Sequence, residues 1–251
     1  MGNIFFQPGD ERAAKVKALF GGIAPRYDLI NDLQSFGLHR RWKRRVIELA
    51  HTQPGIRALD VCCGTGDLAL ALARRGAEVA GLDFSEQMLA IAEKRKCKRR
   101  VSMSGIHSPH FICGDAQNIP FADNSFEIVT VGYGLRNLAN WEAGLKELQR
   151  VATPGGRLLV LDFGKPENAL WRWLYFSYLK LFVPLLGRIF CGNFDAYAYI
   201  LESLKHYPEQ RRIAARMGEI GLTNVQIINF LGGVMAVVYG EKEEAGKRNN
   251  P

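Results

Sequence analysis

Apolar positions change their period along the chain, and the changes mark its elements. Over residues 10 to 50 they recur at helical spacing. Val16, Leu19 and Phe20 form a small stripe, and Trp42, Val46 and Leu49 set a helix over about His39 to Ala50. The stretch between, Pro25 to Trp42, interleaves polar and aromatic residues without a clean period, the pattern of a loop that lines a site. Short apolar runs then alternate with helical patterns. Strands are expected over Ile56 to Val61, Ala77 to Leu82, Phe111 to Cys113, Phe126 to Val131 and Arg157 to Asp162, with helices over 67–75, 85–95 and 141–151. Such alternation predicts an α/β fold, a parallel sheet with helices on both faces. Asn224 to Phe230 and Val234 to Gly240, joined across Gly232-Gly233, read as a closing hairpin.

Residues 163–207 form an insertion with a different character. It holds Trp171, Trp173, Tyr175, Phe176, Tyr178, Phe182, Phe190, Phe194, Tyr197, Tyr199 and Tyr207, interrupted by Arg172, Lys180 and Pro184. The interruptions argue against a membrane span. An amphipathic lid resting on a membrane surface fits them, as does an aromatic helix that only caps the core. The tail, 241–251, is charged and expected to be disordered.

The length of 251 residues suits one domain, 1–251, and 47% apolar residues suffice for a proper core. A net charge of +8 fits a protein that visits anionic lipid or nucleic acid. Basic clusters lie at 40–45 and 94–100; the second closes a helix, where cations favour the dipole, and no aromatic platform accompanies it, so no nucleic acid is expected as partner. The five cysteines contain no C-x-x-C pair. They read as reduced packing residues of a cytoplasmic protein, with neither a disulfide frame nor a metal site.

Candidate chemistry starts at Arg57 to Ala73, a strand, a glycine turn and a helix. Gly64-Thr65-Gly66-Asp67-Leu68-Ala69 satisfies G-x-G-x-x-A, and Asp83 follows near the spacing of a ribose-binding acid, which raises a nicotinamide dinucleotide. Charge opposes that reading. A pyrophosphate needs bare N–H groups and a positive helix end, whereas Asp60 closes the strand and Asp67 opens the helix. The loop suits a ligand with cationic groups and no phosphate.

An acid followed by a glycine-rich turn resembles the first motif of the class I S-adenosylmethionine-dependent methyltransferases. The resemblance implies a Rossmann-like, mostly parallel seven-stranded sheet ending in an antiparallel hairpin, with S-adenosyl-L-methionine as cofactor. It implies cofactor-binding roles for Asp60, Gly64, Thr65 and Gly66, for Asp83 at the ribose hydroxyls, and for Asp115 and Ala116, with Asp115 facing the adenine amino group. Cys62 stands where that family usually has its first glycine.

Over nearly its whole length the chain is similar to the ubiquinone and menaquinone biosynthesis C-methyltransferases. Tyr27, Asp28, Asn31, Ser35, His39 and Trp42 match the first signature, with Ile30 and Gln34 departing from it. Arg150, Val151, Pro154, Gly155 and Gly156 match the second, after which the usual Leu-Glu-Phe-Ser becomes Leu161-Asp-Phe-Gly164. Gly132-Tyr-Gly-Leu-Arg-Asn137, Tyr199 with Glu202-Ser203, and Gly232-Gly233-Val-Met-Ala236 also match.

This likeness implies C-methylation of a prenylated quinol, demethylmenaquinol first and a ubiquinone-pathway benzoquinol as alternative, by an enzyme peripherally bound to the membrane. Arg136 is the candidate to stabilise a quinolate oxygen, Asn137 to orient a water or hydroxyl, and His39 to accept a proton. Tyr27, Asp28, Tyr133 and Tyr199 are candidates for lining the ring pocket. A homodimer is left open. A silent cofactor-binding scaffold is disfavoured by the intact Arg136 and Asn137, and an RNA methyltransferase would leave the aromatic lid unexplained.

Overall fold

A computed structural model describes residues 10–100, 108–191 and 195–244. Seven strands form one sheet: β1 (Arg57–Val61), β2 (Glu78–Asp83), β3 (His110–Cys113), β4 (Phe126–Gly132), β5 (Ala152–Phe163), β6 (Leu222–Phe230) and β7 (Met235–Lys242), in the order β3-β2-β1-β4-β5-β7-β6. The first five run parallel; β7 is antiparallel to both β5 and β6. The expected α/β sheet and its closing hairpin are both present.

Helices cover both faces because the inner strands are apolar on both. Leu59, Val61, Val129, Val131, Leu158 and Val160 pack one way with Leu145 and Leu148 of α6 (Trp141–Val151) and Ile213 and Met217 of α9 (Gln210–Glu219). Ala58, Ile128, Leu159 and Leu161 pack the other way with Leu68 and Leu72 of α4 (Asp67–Ala73) and Trp42 and Val46 of α3 (Leu38–Leu49). Chain order reverses direction between β1 and β4, which opens a crevice at the carboxyl end of β1.

Four expectations need correction. Residues 25–42 are not a loop: a 3-10 turn (Ala24–Arg26) leads into α2 (Tyr27–Ser35), and left-handed Phe36 and Gly37 turn the chain into α3. The irregular polarity arises because the buried positions of α2 include polar Asn31 and Ser35 while apolar Leu29 is exposed. Helix α5 (Glu86–Arg100) runs beyond Arg95. Strand β5 begins at Ala152 and so includes the Gly155-Gly156 pair. The charged tail begins later than expected, since Glu241 and Lys242 belong to β7 and the Lys242 ammonium donates to the carbonyls of Gln149 and Ala152 at the end of α6. Residues 245–251 lie outside the described residues.

The insertion folds as α7 (Ala169–Cys191) and α8 (Asp195–His206), packed on each other and on α1 (Asp10–Ile23) and α2. Tyr175, Leu179 and Val183, at i, i+4 and i+8, meet Ile200 and Leu204, with Leu19, Phe163 and Val234 around them. Of the aromatic residues read from the sequence, the side chains of Phe190, Phe194 and Tyr197 lie outside those described.

Candidate active site

Two cavities of about 290 Å³ each open side by side over the carboxyl ends of the strands. Asp83, Asp115, Ala116, Gly64 and Cys62 line the first, Gly132 to Gly134 and Asn137 lie at its inner end, and Val16, Phe20 and Tyr27 from the N-terminal helices cover it. Among its described lining residues Lys17 is the one cation. The second cavity is largely apolar, a channel between α2, α3 and α7 walled by Phe36, Trp42, Phe163, Trp171, Tyr175 and Val183, with Asn31, Gln34, Ser35 and His39 as its polar residues. Tyr133 lines both. A small pocket of about 30 Å³ joins them, formed by Tyr27, Asn31, Tyr133, Arg136, Phe163 and Tyr199.

In the first cavity, Asp83 ends β2 with its carboxylate accepting N–H bonds from Gly64 at 2.8 Å and Ser85 at 2.9 Å. Burial raises its pKa against those donors, so further donors from a ligand would be welcomed there. Gly64 is in the left-handed region at φ 54°, and a Cβ built on it would meet nothing within 4 Å, projecting into space the cavity offers a ligand. Asp115 turns on itself, one oxygen accepting the Gln117 N–H at 2.8 Å, and keeps its place at the wall beside Ala116.

The other expected cofactor residues are placed differently. Asp60 accepts from the Thr130 hydroxyl at 2.8 Å and the Ala69 N–H at 3.0 Å, pinning α4 to the sheet, and burial pushes its pKa up to about 7. It faces a small side pocket with Thr65, Lys43 and Asp67, not the main cavity. Thr65 is held by Asp28 at 3.1 Å and by Arg95 at 2.8 Å. Gly66 packs against Phe111, since a Cβ there would lie 2.9 Å from the ring. Asp67 is not an open carboxylate: burial would raise its pKa, but Lys43 at 2.7 Å and Arg95 at 2.8 Å overturn that and hold it at about 2.

Lys43 and Arg95 are therefore site-building residues that the sequence reading missed, hidden inside clusters that looked like solvated basic faces. Asp28 is likewise drawn to Arg95, at 3.1 Å, and is absent from the walls of the joining pocket.

Cys62 has φ 54°, which explains why a glycine is usual there. Its Cβ is accommodated because Gly134 has none; a Cβ on Gly134 would lie 2.3 Å from it. Desolvation, then the carboxylates of Asp83 and Asp60, push the Cys62 thiol well above its ordinary range.

Around the joining pocket, Arg136 is buried, donating to Asp162 at 2.9 Å and to the Tyr133 carbonyl at 2.8 Å, and stacks 4.8 Å above the Phe163 ring. The Asp162 that replaces the usual glutamate is the counterion of Arg136. Asn137 donates to the Tyr133 carbonyl at 2.9 Å and accepts from the Tyr199 hydroxyl at 3.1 Å, which ties α8 to the loop after β4. His39 lies on the channel wall, apart from the joining pocket. Its Nδ1 is 3.0 Å from Ser35 Oγ, and Ser35 donates to the Asn31 carbonyl, so Nδ1 carries the proton and Nε2 a lone pair. Burial, then Lys43, lowers its pKa and keeps the ring neutral.

A switch-point crevice with an acid at the end of each of β2 and β3, a glycine turn beneath and an antiparallel β7 define a class I S-adenosylmethionine-dependent methyltransferase. The model of the ubiE/COQ5 methyltransferase family matches residues 9–242, and the chain belongs to that family. It is 41% identical over 238 residues to a demethylmenaquinone methyltransferase of Desulfitobacterium hafniense, covering 93% of this chain and 92% of that one. It is 40% identical to a ubiquinone/menaquinone biosynthesis C-methyltransferase UbiE of Azotobacter vinelandii, covering 94% and 92%. Among solved structures, a SAM-dependent methyltransferase of Thermotoga maritima superposes with a TM-score of 0.63 at 18% identity, covering 91% of this chain and 100% of that one. One from Aquifex aeolicus gives 0.56 at 18%, covering 79% and 88%. These two share the fold.

Proposed function

We propose that the protein methylates a ring carbon of a prenylated quinol, demethylmenaquinol foremost, with the cofactor in the first cavity, the ring at the inner end of the apolar channel against the joining pocket and the isoprenoid tail in the rest of the channel. The observation that carries this reading is the layout: a polar crevice and an apolar channel meet at a small pocket that holds a buried guanidinium. Relatives carrying demethylmenaquinone and ubiquinone/menaquinone names stand at nearly equal identity, so a ubiquinone-pathway benzoquinol is the second acceptor to test.

When bound, S-adenosylmethionine supplies an electrophilic methyl group on a positive sulfur, and the thioether leaves neutral. The residues then have three tasks. Asp83, Asp115 and the Gly64 turn orient the donor. Arg136 favours the ionised hydroxyl next to the accepting carbon, which is what makes that carbon nucleophilic, and because Asp162 balances its charge it acts as a buried charge-assisted hydrogen-bond donor. Asn137, fixed by Tyr199, stands at the inner end of the cofactor cavity, where it can orient a water or the acceptor hydroxyl beside the donor. Replacing a ring C–H by C–CH3 releases one proton, and its assigned acceptor is the neutral His39 Nε2 on the channel wall, reached directly or through one water.

Exposed apolar side chains crowd the channel mouth. Phe36, Trp171, Leu174 and Leu231 line the channel yet remain exposed, and Trp173, Leu181, Phe182 and Leu185 extend the patch along α7. Among the described residues no helix is long and apolar enough to cross a membrane. This supports docking of the patch on a membrane surface, from which a tailed substrate enters directly.

The test is methyl-labelled cofactor offered with reduced naphthoquinol, reduced benzoquinol, their oxidised forms and RNA. Label in the reduced quinols alone is expected; label in RNA, or in no acceptor, would overturn the reading.

A further inference from the structure

Asn31 stands where α2 borders both the joining pocket and the channel. Its side chain is buried, 6% exposed, and its Oδ1 accepts from Gln34 Nε2 at 2.8 Å, but its Nδ2 has no hydrogen-bond partner. The Tyr133 hydroxyl, on the same two walls, is likewise buried without one. Tyr27 lies near enough for the Asn31 amide to favour its phenolate, yet outside hydrogen-bond geometry. Native interiors rarely leave such groups unpaired, and here two of them border one ligand space, whose other polar wall residues are Arg136, Gln34, Ser35 and His39.

The quinol reading above, on which this inference rests, says what meets them. Opposite oxygens of one ring are held a ring-width apart. With one oxygen at Arg136, the other points toward the channel, next to the carbon that carries the tail. We propose that Asn31 Nδ2, with the Tyr133 hydroxyl beside it, hydrogen-bonds this second oxygen, and that Asn31 makes the site selective for para-dioxygenated rings over rings with a single hydroxyl. A site that hydrogen-bonds a substrate oxygen rejects the analogue lacking it, because the buried donor is then left unpaired.

The experiment compares kcat/KM for a short-tailed hydroquinol and for the same compound without its tail-side hydroxyl, in the wild-type enzyme and in Asn31→Leu. Taking the ratio of the two substrates within each enzyme, then comparing enzymes, cancels the difference in intrinsic ring reactivity. The wild-type preference for the dioxygenated ring is expected to exceed that of the variant by about tenfold or more. An equal preference in both would overturn the proposal while leaving the quinol reading intact. Should the wild type methylate neither compound, the quinol reading fails and this inference with it. Because Asn31→Leu also strands Gln34, the same comparison is made by calorimetry on the wild type loaded with S-adenosylhomocysteine. There the hydroquinol should bind about tenfold more tightly than the analogue, and equal affinities would again overturn the proposal.

Discussion

At the scale of single residues, the strongest commitment is the buried pair of Arg136 and Asp162, at 2.9 Å with both side chains nearly inaccessible. Removing one partner of such a pair leaves the other charge buried alone, which costs about 3–5 kcal/mol. Asp162→Ala is therefore expected to lose roughly that much stability in urea titration, and a loss below about 1 kcal/mol would mean that Asp162 does not hold Arg136.

Cys62 makes a second case: an L-residue in the left-handed region is strained by about 1–2 kcal/mol. Cys62→Gly should stay within about 1 kcal/mol of wild type, relief of strain offsetting the lost packing, while branched Cys62→Val should fall by about 2 kcal/mol or more. Equal denaturation midpoints for the two variants would contradict this.

His39 supplies the pH dependence. Its pKa is lowered from 6.5 by burial and then by Lys43, so between the lowered value and 6.5 the folded state binds fewer protons than the unfolded chain. Stability from this group is present above pH 6.5 and is lost as pH falls through that window. As proton acceptor His39 works in its neutral form, so kcat should decline on the acid side below the same range, and His39→Gln should be slower but without that acid limb. Survival of the limb in His39→Gln would move the proton acceptor elsewhere.

Among the elements, α7 divides its labour by face. Tyr175, Leu179 and Val183 are packed inside, while Trp173, Leu181 and Phe182 stay exposed, at 64%, 63% and 58%. Changing those three exposed residues to serine should lower the melting temperature only slightly, because they stand outside the buried core and only the Phe182 stack on Tyr178 is lost. The variant is expected to lose most of its sedimentation with anionic lipid vesicles and to slow on a long-tailed quinol held in vesicles, while a short-tailed soluble quinol reacts as before. Undiminished vesicle binding would mean that another surface does the docking.

The elements also show why the sequence was read unevenly. Buried parallel strands such as β1 and β4 announce themselves as apolar runs between turn residues. Helix α2 did not, because Asn31 and Ser35, with His39 of the next helix, put polar side chains on its buried side, so polarity does not mark which positions are inside. Helix α9 passed unnoticed for a similar reason. Its buried apolar anchors are Ile213 and Met217, and its arginines are paired, Arg212 and Arg216 to Glu219 and Glu142 and Arg211 to Glu167.

For the molecule as a whole, the location of the crevice was legible from the glycine turn and Asp83, since a parallel sheet fixes where such a turn must lie. The separation of a cofactor cavity from a tail channel was not. It is made by α1 to α3 folding back against α7 and α8, contacts between segments more than a hundred residues apart, such as the Tyr178 hydroxyl on the Gln34 carbonyl. Nor could the sequence show that Asp60, Thr65 and Asp67 build the loop rather than face the ligand, because that depends on Thr130 of β4 meeting Asp60 and on Lys43 and Arg95 arriving from other helices. The departures at Asp162 and Gly164 acquire reasons only in three dimensions: the first is the counterion of Arg136, and a Cβ on the second would lie 2.4 Å from the Gly233 carbonyl oxygen.

The central claim is that the arrangement delivers a methyl group to carbon, not to one of the ring oxygens that Arg136 and Asn31 engage. Carbon-13 NMR of the product formed from reduced demethylmenaquinol and cofactor labelled in its methyl group reads this directly. The account predicts a single labelled methyl bonded to the ring carbon beside the one bearing the tail. A labelled methyl ether, or label on any other ring carbon, would contradict it.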